Sequence, residues 1–180
     1  MMDKVIAPVL ESSRLFLKPL NKSFLSEEYL HWLNDKKITK YMSTGGDYNF
    51  KKLNDYLDDL NKNPKYFWAI ILKKNNKHIG NIKIDPIDFS NKTGEYGIMI
   101  GEKTVWGQGI ASESSKLALK YCFNELGLKK IYLGVIAENK RAVESYKNIG
   151  FCEEYFKKKF HYLKGKYHDF IRMSITLNSL

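Results

Sequence analysis

The stretch VWGQGIAS, residues 105–112, decides how this chain is read. It lies between a predicted strand ending near Gly101 and a predicted helix beginning near Gly109. Gly107 and Gly109 let the backbone take unusual dihedrals and approach a ligand closely. A turn that leads into a helix aims several unpaired N–H groups at one point, which makes an anion site. Ser112 adds a hydroxyl. Two glycines before a helix also serve as a plain strand–helix connection, so the stretch needs a second signal. No G-K-[ST] follows and the third glycine of the dinucleotide fingerprint is missing, which excludes a Walker loop and a nicotinamide-type site.

The strand before this turn, 93–100, alternates. Tyr96, Ile98 and Ile100 share one face, and Glu95, Gly97 and Met99 share the other. Residues 109–125 pair Leu117 with Tyr121 and Ala118 with Cys122 at helical spacing, and Gly127 stops the helix. A near-continuous apolar strand covers 131–136, and a short helix covers 140–149 with Asn139 as cap and Gly150 as break. Upstream, 14–18 reads as a strand. Residues 24–34 read as a helix capped by Ser23 or Ser26, and 50–61 as a helix capped by Asn49. Residues 66–72 form a strand covered on both faces. Residues 78–84 form another, ended by Asp85-Pro86, with a turn at 90–92. The tail is a hairpin turned near Lys164-Gly165. Strands and helices thus give an α/β (α+β) class.

At 180 residues with 43% hydrophobic content, one domain spanning 1–180 is expected. Two cysteines exclude a disulfide scaffold, and Cys122 and Cys152 read as buried thiols. The opening residues lack the long apolar region of a secretory leader, and no run is long enough to span a bilayer. A cytoplasmic setting without membrane partners follows as an expectation. The net charge is +10 and the pI is about 9.4. That favours an anionic ligand or reflects a solvated lysine-rich surface. Lysines come in pairs and triplets rather than long runs, and arginine stands only at 14, 141 and 172, which argues against nucleic acid. His31, His78, His161 and His168 have no metal-ligand spacing, so no metal is expected.

The second signal is Asn139-Lys-Arg-Ala142-Val-Glu-Ser-Tyr146-Lys-Asn-Ile-Gly150-Phe151. Together the two segments resemble the GNAT superfamily of acetyl-CoA-dependent N-acetyltransferases, whose motifs run Q/R-x-x-G-x-G/A and N-x-x-A/S-x-x-x-Y-x-x-x-G-F. Gly109 and Ala111 match the first; Asn139, Ala142, Tyr146, Gly150 and Phe151 match the second. The opening ESSRLFLKPL resembles the start of the RimJ/RimL-like subgroup, as does the closing Gly165 to Asp169 segment. Trp106 stands where the superfamily has Q/R, as in that subgroup, and Asn148 replaces a frequent lysine.

The resemblance implies a GNAT fold, with a mixed, mostly antiparallel twisted sheet of about seven strands and about four helices. It implies acetyl-CoA as co-substrate, held by Ile98, Met99, Ile100, Trp106, Gly107, Gln108, Gly109, Ile110, Ala111, Ser112 and Asn139. Direct transfer to a primary amine needs the amine neutral. An alkylammonium near pKa ~10.4 must lose a proton at a cost of about 4–5 kcal/mol at pH 7. Glu95 is the candidate base, directly or through water; its alternatives are capping a strand end or pairing with a lysine. Tyr146 is the candidate acid for the leaving thiolate, and an N–H near Met99 or Ile100 would hold the oxyanion. Trp32 and Tyr41 are expected to shape the acceptor pocket. The acceptors weighed are the amino group of a nucleotide-linked amino sugar, a protein N-terminus and, third, a polyamine. The competing reading is a non-catalytic CoA- or nucleic-acid-binding domain. The β-rich tail is compatible with a homodimer.

Overall fold

The computed structural model describes residues 7–180; the first six residues of the opening segment lie outside the described residues. The elements run in order β1 (Leu10–Glu11), β2 (Leu15–Pro19), α1 (Glu27–Asn34), α2 (Phe50–Lys62), β3 (Tyr66–Leu72), β4 (Lys77–Asp88), β5 (Thr93–Ile100), α3 (Ile110–Asn124), β6 (Lys130–Ile136), α4 (Lys140–Ile149), β7 (Cys152–Leu163) and β8 (Lys166–Ile175). The eight strands form one sheet in the order β1-β2-β3-β4-β5-β6-β8-β7. β1–β2, β2–β3, β6–β8 and β7–β8 pair antiparallel, and β5–β6 pair in parallel. The short β1 raises the expected count of strands by one.

The chain divides into two units: residues up to Lys83 with Ile98–Ile110, and Ile84–Gly97 with Ala111–Leu180. In the first, α1 buries Tyr29, Trp32 and Leu33, and α2 buries Leu53, Leu57 and Leu60. These pack with Leu20, Ala69 and Ile71 in one cluster. Each fully buried leucine contributes about 1.5–3 kcal/mol. Asn49 caps α2 as expected, accepting from the Lys52 amide. Ser26 rather than Ser23 caps α1 by accepting from the Tyr29 amide at 3.1 Å. That helix starts three residues later than its apolar spacing suggested, because Lys22–Phe24 form a separate 3-10 turn.

In the second unit, α3 buries Ala118, Leu119, Cys122 and Phe123, while β6 and β8 bury alternating Ile131, Leu133, Ile171, Met173 and Ile175. Gly150 ends α4 in the left-handed region, its amide donating to the Lys147 and Tyr146 carbonyls. Three expectations need correction. β4 continues through Asp85-Pro86 to Asp88. Proline lacks an amide donor, but a strand tolerates that where the ladder does not use the position. Asn139 stands at the start of α4 but makes no side-chain cap. Cys152 is exposed on β7, although Cys122 is buried. β7 is exposed along nearly its whole length, so Cys152 faces solvent although Phe151 just before it is buried.

Candidate active site

In the first unit, β5 ends at Ile100, and a 3-10 turn at Lys103–Val105 leads through Trp106 and Gly107 to Gly109. The Trp106 indole N–H donates to the Ile100 carbonyl at 2.9 Å, which staples the turn to the strand end. Gln108 spends its side-chain amide on the Thr104 carbonyl. Gly107 and Gly109 have φ of 79° and 76°, a region that favours glycine. No atom lies within 4 Å of the place where a Cβ would stand at Gly107. The backbone there is open to a ligand.

Arg14 reaches this turn. Its Nη1 donates to the Gln108 carbonyl at 3.0 Å, and its Nη2 lies 3.7 Å from where a Gly109 Cβ would stand. A guanidinium therefore stands beside the glycine turn. The sequence reading missed it; the trace was the Arg of the opening E-x-x-R, which was given no task. Glycine amides, the start of α3 and a guanidinium suit a diphosphate.

Also within this unit, a hollow of about 610 Å³ is lined by Glu27, Glu28, Trp32, Asp35, Glu102 and Lys103 among others. Trp32 is buried against the rings of Tyr29 and His78. Gly101 makes this possible, because a Cβ there would lie 2.0 Å from Trp32 Cδ2. Hydrogen bonds from Lys77 and Thr104 hold the Glu102 carboxyl at a pKa of about 2. The Lys103 ammonium bonded to Asp35 lowers that carboxyl as well. Tyr41 does not line the hollow; the Lys40 ammonium sits 4.9 Å from its ring centre.

In the second unit, Tyr96, Tyr146 and Phe151 form an aromatic triangle with centroids 5.3–6.0 Å apart. The two phenols are treated differently. Ser115 donates to the Ala111 carbonyl at 2.6 Å, so Tyr96 donates to Ser115 at 2.7 Å. The Tyr146 hydroxyl makes no hydrogen bond among the described residues, and desolvation pushes its pKa up to about 12. Glu95 also has no hydrogen-bond or ion-pair partner among the described residues; of the expected alternatives, a lysine partner is not found. The parallel pairing of β5 with β6 covers Thr93, Gly94 and Glu95, although β6 continues to Ile136. His168 is buried, with Nδ1 3.2 Å from Glu138 Oε1. Burial pushes the Cys122 thiol up to about 12, which leaves it un-ionised.

A profile described as an acetyltransferase (GNAT) domain matches residues 14–152. The chain belongs to the GNAT acetyltransferase family. Escherichia coli K12 spermidine N(1)-acetyltransferase is 29% identical over 160 residues, 88% of this chain and 84% of that protein. The Vibrio cholerae spermidine N(1)-acetyltransferase is 30% identical over 166 residues, 91% and 94% of the two chains. The crystal structure of a Vibrio cholerae spermidine N-acetyltransferase with CoA and spermine superposes with a TM-score of 0.82. It is 27% identical and covers 93% of this chain and 98% of that one.

This GNAT protein is an acetyl-CoA-dependent N-acetyltransferase, and its fold is the mixed, mostly antiparallel sheet with four helices expected from the motifs. The open glycine turn with Arg14 fits the anionic part of acetyl-CoA. Among the described residues no group of three or more His, Cys, Asp or Glu is placed to hold a metal. No helix among them is long and apolar enough to cross a membrane.

Proposed function

We propose that the acceptor is a polyamine, taken up by the acidic hollow of the first unit. The observation that carries this reading is the hollow's charge. Four carboxylates line it: Asp35 is paired with Lys103 and Glu102 with Lys77, while Glu27 and Glu28 have no ion-pair partner among the described residues and leave the hollow a net negative charge. A chain of +10 should repel a polycation, but exposed charges act over about one Debye length, ~8 Å at physiological salt. Local sign therefore outweighs the sum. Trp32, buried beneath, shapes the floor of the hollow. The named activity of the two spermidine acetyltransferase relatives points the same way.

Acetyl-CoA supplies the acetyl group as a thioester. Backbone amides of Gly107, Gly109, Ala111 and Ser112 and the Arg14 guanidinium bind its diphosphate, and Trp106 and Gln108, whose own amide donates to the Val105 carbonyl, hold the turn in shape. Ile98, Met99 and Ile100 offer strand-end backbone beside the acyl part, and a Met99 or Ile100 N–H donates to the carbonyl oxygen as negative charge develops there. Glu95, unpartnered, takes the ammonium proton. Asn139 serves the pantetheine amide. As the N–C bond forms and the C–S bond breaks, the Tyr146 phenol gives its proton to sulfur; the nitrogen then gives up its second proton, which restores the phenol through solvent, and Glu95 releases the first to solvent.

A thiol-release assay on acetyl-CoA with four acceptors tests the reading: spermidine, spermine, a nucleotide-linked amino sugar and a peptide with a free N-terminus. Turnover is expected with the polyamines. Glu27→Gln and Glu28→Gln should each raise the spermidine KM about threefold to fivefold, the scale of a partly exposed ion pair, with kcat kept. Turnover confined to the amino sugar or the peptide, the acceptors suggested by net charge and by the RimJ/RimL-like opening, would overturn the polyamine assignment.

A further inference from the structure

The β7–β8 ribbon contributes no residue to the lining of the acidic hollow. Residues 155–168 hold five lysines, five tyrosines or phenylalanines and no Asp or Glu. Read along the chain, these lysines are a triplet and two single residues. Folded into a two-stranded ribbon, they stand among exposed aromatics. Tyr155, Phe156, Phe160, Tyr162 and Tyr167 are 39–62% exposed. Lys157 stands 5.0 Å and 4.4 Å from the ring centres of Tyr155 and Phe160. Tyr162 and Tyr167 meet edge to face at 5.1 Å near the ribbon's tip. The flanking carboxylates are engaged: Glu153 with Lys147, Glu154 with Lys130, and Asp169 with the Lys159 amide.

Exposed apolar surface of this kind asks for a partner. Three features narrow the choice. β7 is the last strand of the sheet, yet its register is broken between Glu153 and Tyr155 and again between Lys157 and His161. Lysines and bulges on an edge strand oppose pairing with another strand. A two-fold contact through this ribbon would bring two cationic ribbons without carboxylates together. At the tip, the one aliphatic side chain, Leu163, is buried, so the ribbon offers aromatic faces and charge rather than an inserting wedge for a bilayer. Aromatic faces interleaved with cations suit a flexible polyanion with stackable rings.

We propose that the β7–β8 ribbon binds single-stranded nucleic acid, with lysines on the phosphates and the exposed rings stacking on bases. This revises the sequence reading that set nucleic acid aside: counting runs of like charge misses cations that a hairpin gathers. It does not depend on the identity of the acceptor.

The test is fluorescence anisotropy of a labelled oligouridylate of about 15 nucleotides with the full chain over a range of salt. Binding is expected near 0.1 M salt, with a log–log salt slope of about −3 to −4 for five phosphate contacts. Lys157→Ala with Lys158→Ala and Lys166→Ala should flatten the slope by about 2, and arginine at the same positions should restore it. Tyr162→Ala should weaken binding about tenfold with the slope unchanged. Melting curves check that each variant is folded. No binding, an affinity indifferent to the lysine changes, or binding to phosphatidylcholine–phosphatidylserine vesicles in place of the oligonucleotide would each overturn the proposal. So would light scattering that finds a dimer which the Tyr162 change dissolves.

Discussion

Replacing Tyr146 by phenylalanine should separate chemistry from stability in this enzyme. The hydroxyl has no partner among the described residues, so its removal breaks no hydrogen bond. The ring contacts with Tyr96 and Phe151, at 5.8 Å and 6.0 Å, are kept. The stability change should stay within about 0.5 kcal/mol, the range of substitutions that remove no specific interaction. For a chain of this size that moves Tm by under about 2 °C. Loss of a general acid, by contrast, costs about 10²–10⁴ in rate, or about 2.7–5.5 kcal/mol of barrier. Burial pushes its pKa up to about 12, so Tyr146 stays mostly protonated past the pH at which a free alkylamine loses its proton, and the wild-type rate should show no alkaline decline from this group below about pH 10. The assay is thiol release at saturating acetyl-CoA beside differential scanning calorimetry. Tyr96→Phe is the control: it breaks the bond to Ser115 and should cost about 1 kcal/mol of stability. An unchanged kcat in Tyr146→Phe would refute the acid role, and a fall in Tm of more than about 4 °C would show that the hydroxyl is bonded after all.

Three more expectations can be checked directly. Gly101→Ala drives a methyl into the Trp32 ring and should cost about 1–3 kcal/mol, read as a lowered Tm together with an altered indole fluorescence. Glu95→Gln should depress the rate most at low pH, where the acceptor amine is most protonated, and an unaltered pH–rate profile would remove this residue from the chemistry. Glu102 has a folded pKa below its usual value, so its contribution to stability is whole above about pH 4.5 and is lost as pH falls toward 2. Urea unfolding of wild type and Glu102→Gln should therefore differ at pH 6 and converge toward pH 2.

Much of the fold was legible because its signals are local. Leu53, Leu57 and Leu60 fall on one stripe of α2, and Asn49 caps it at the expected position. The glycine turn and Tyr146 could be found because motif spacing fixes them along the chain. What escaped was assembled from distant segments. Arg14 meets Gln108 across 94 positions. The acidic hollow joins α1 to Gly101–Lys103, so its sign cannot be read from a sum over 30 basic and 20 acidic residues. Pro86 was misread because a proline reports a missing donor and says nothing about whether the sheet needs it there.

The chain passes from one unit to the other three times, after Lys83, Gly97 and Ile110. Chimeras made by a single crossover will therefore fail in a particular way. An exchange after Lys83 imports the donor's α1 wall of the acidic hollow but leaves the host's Gly101, Glu102 and Lys103 opposite it. Trp32 and Gly101 would then come from different parents; in the reverse exchange, any donor side chain larger than glycine at position 101 would strike Trp32. Grafting acceptor preference onto this scaffold requires two inserts moved together, one ending near Lys83 and the other spanning Ile98–Ile110.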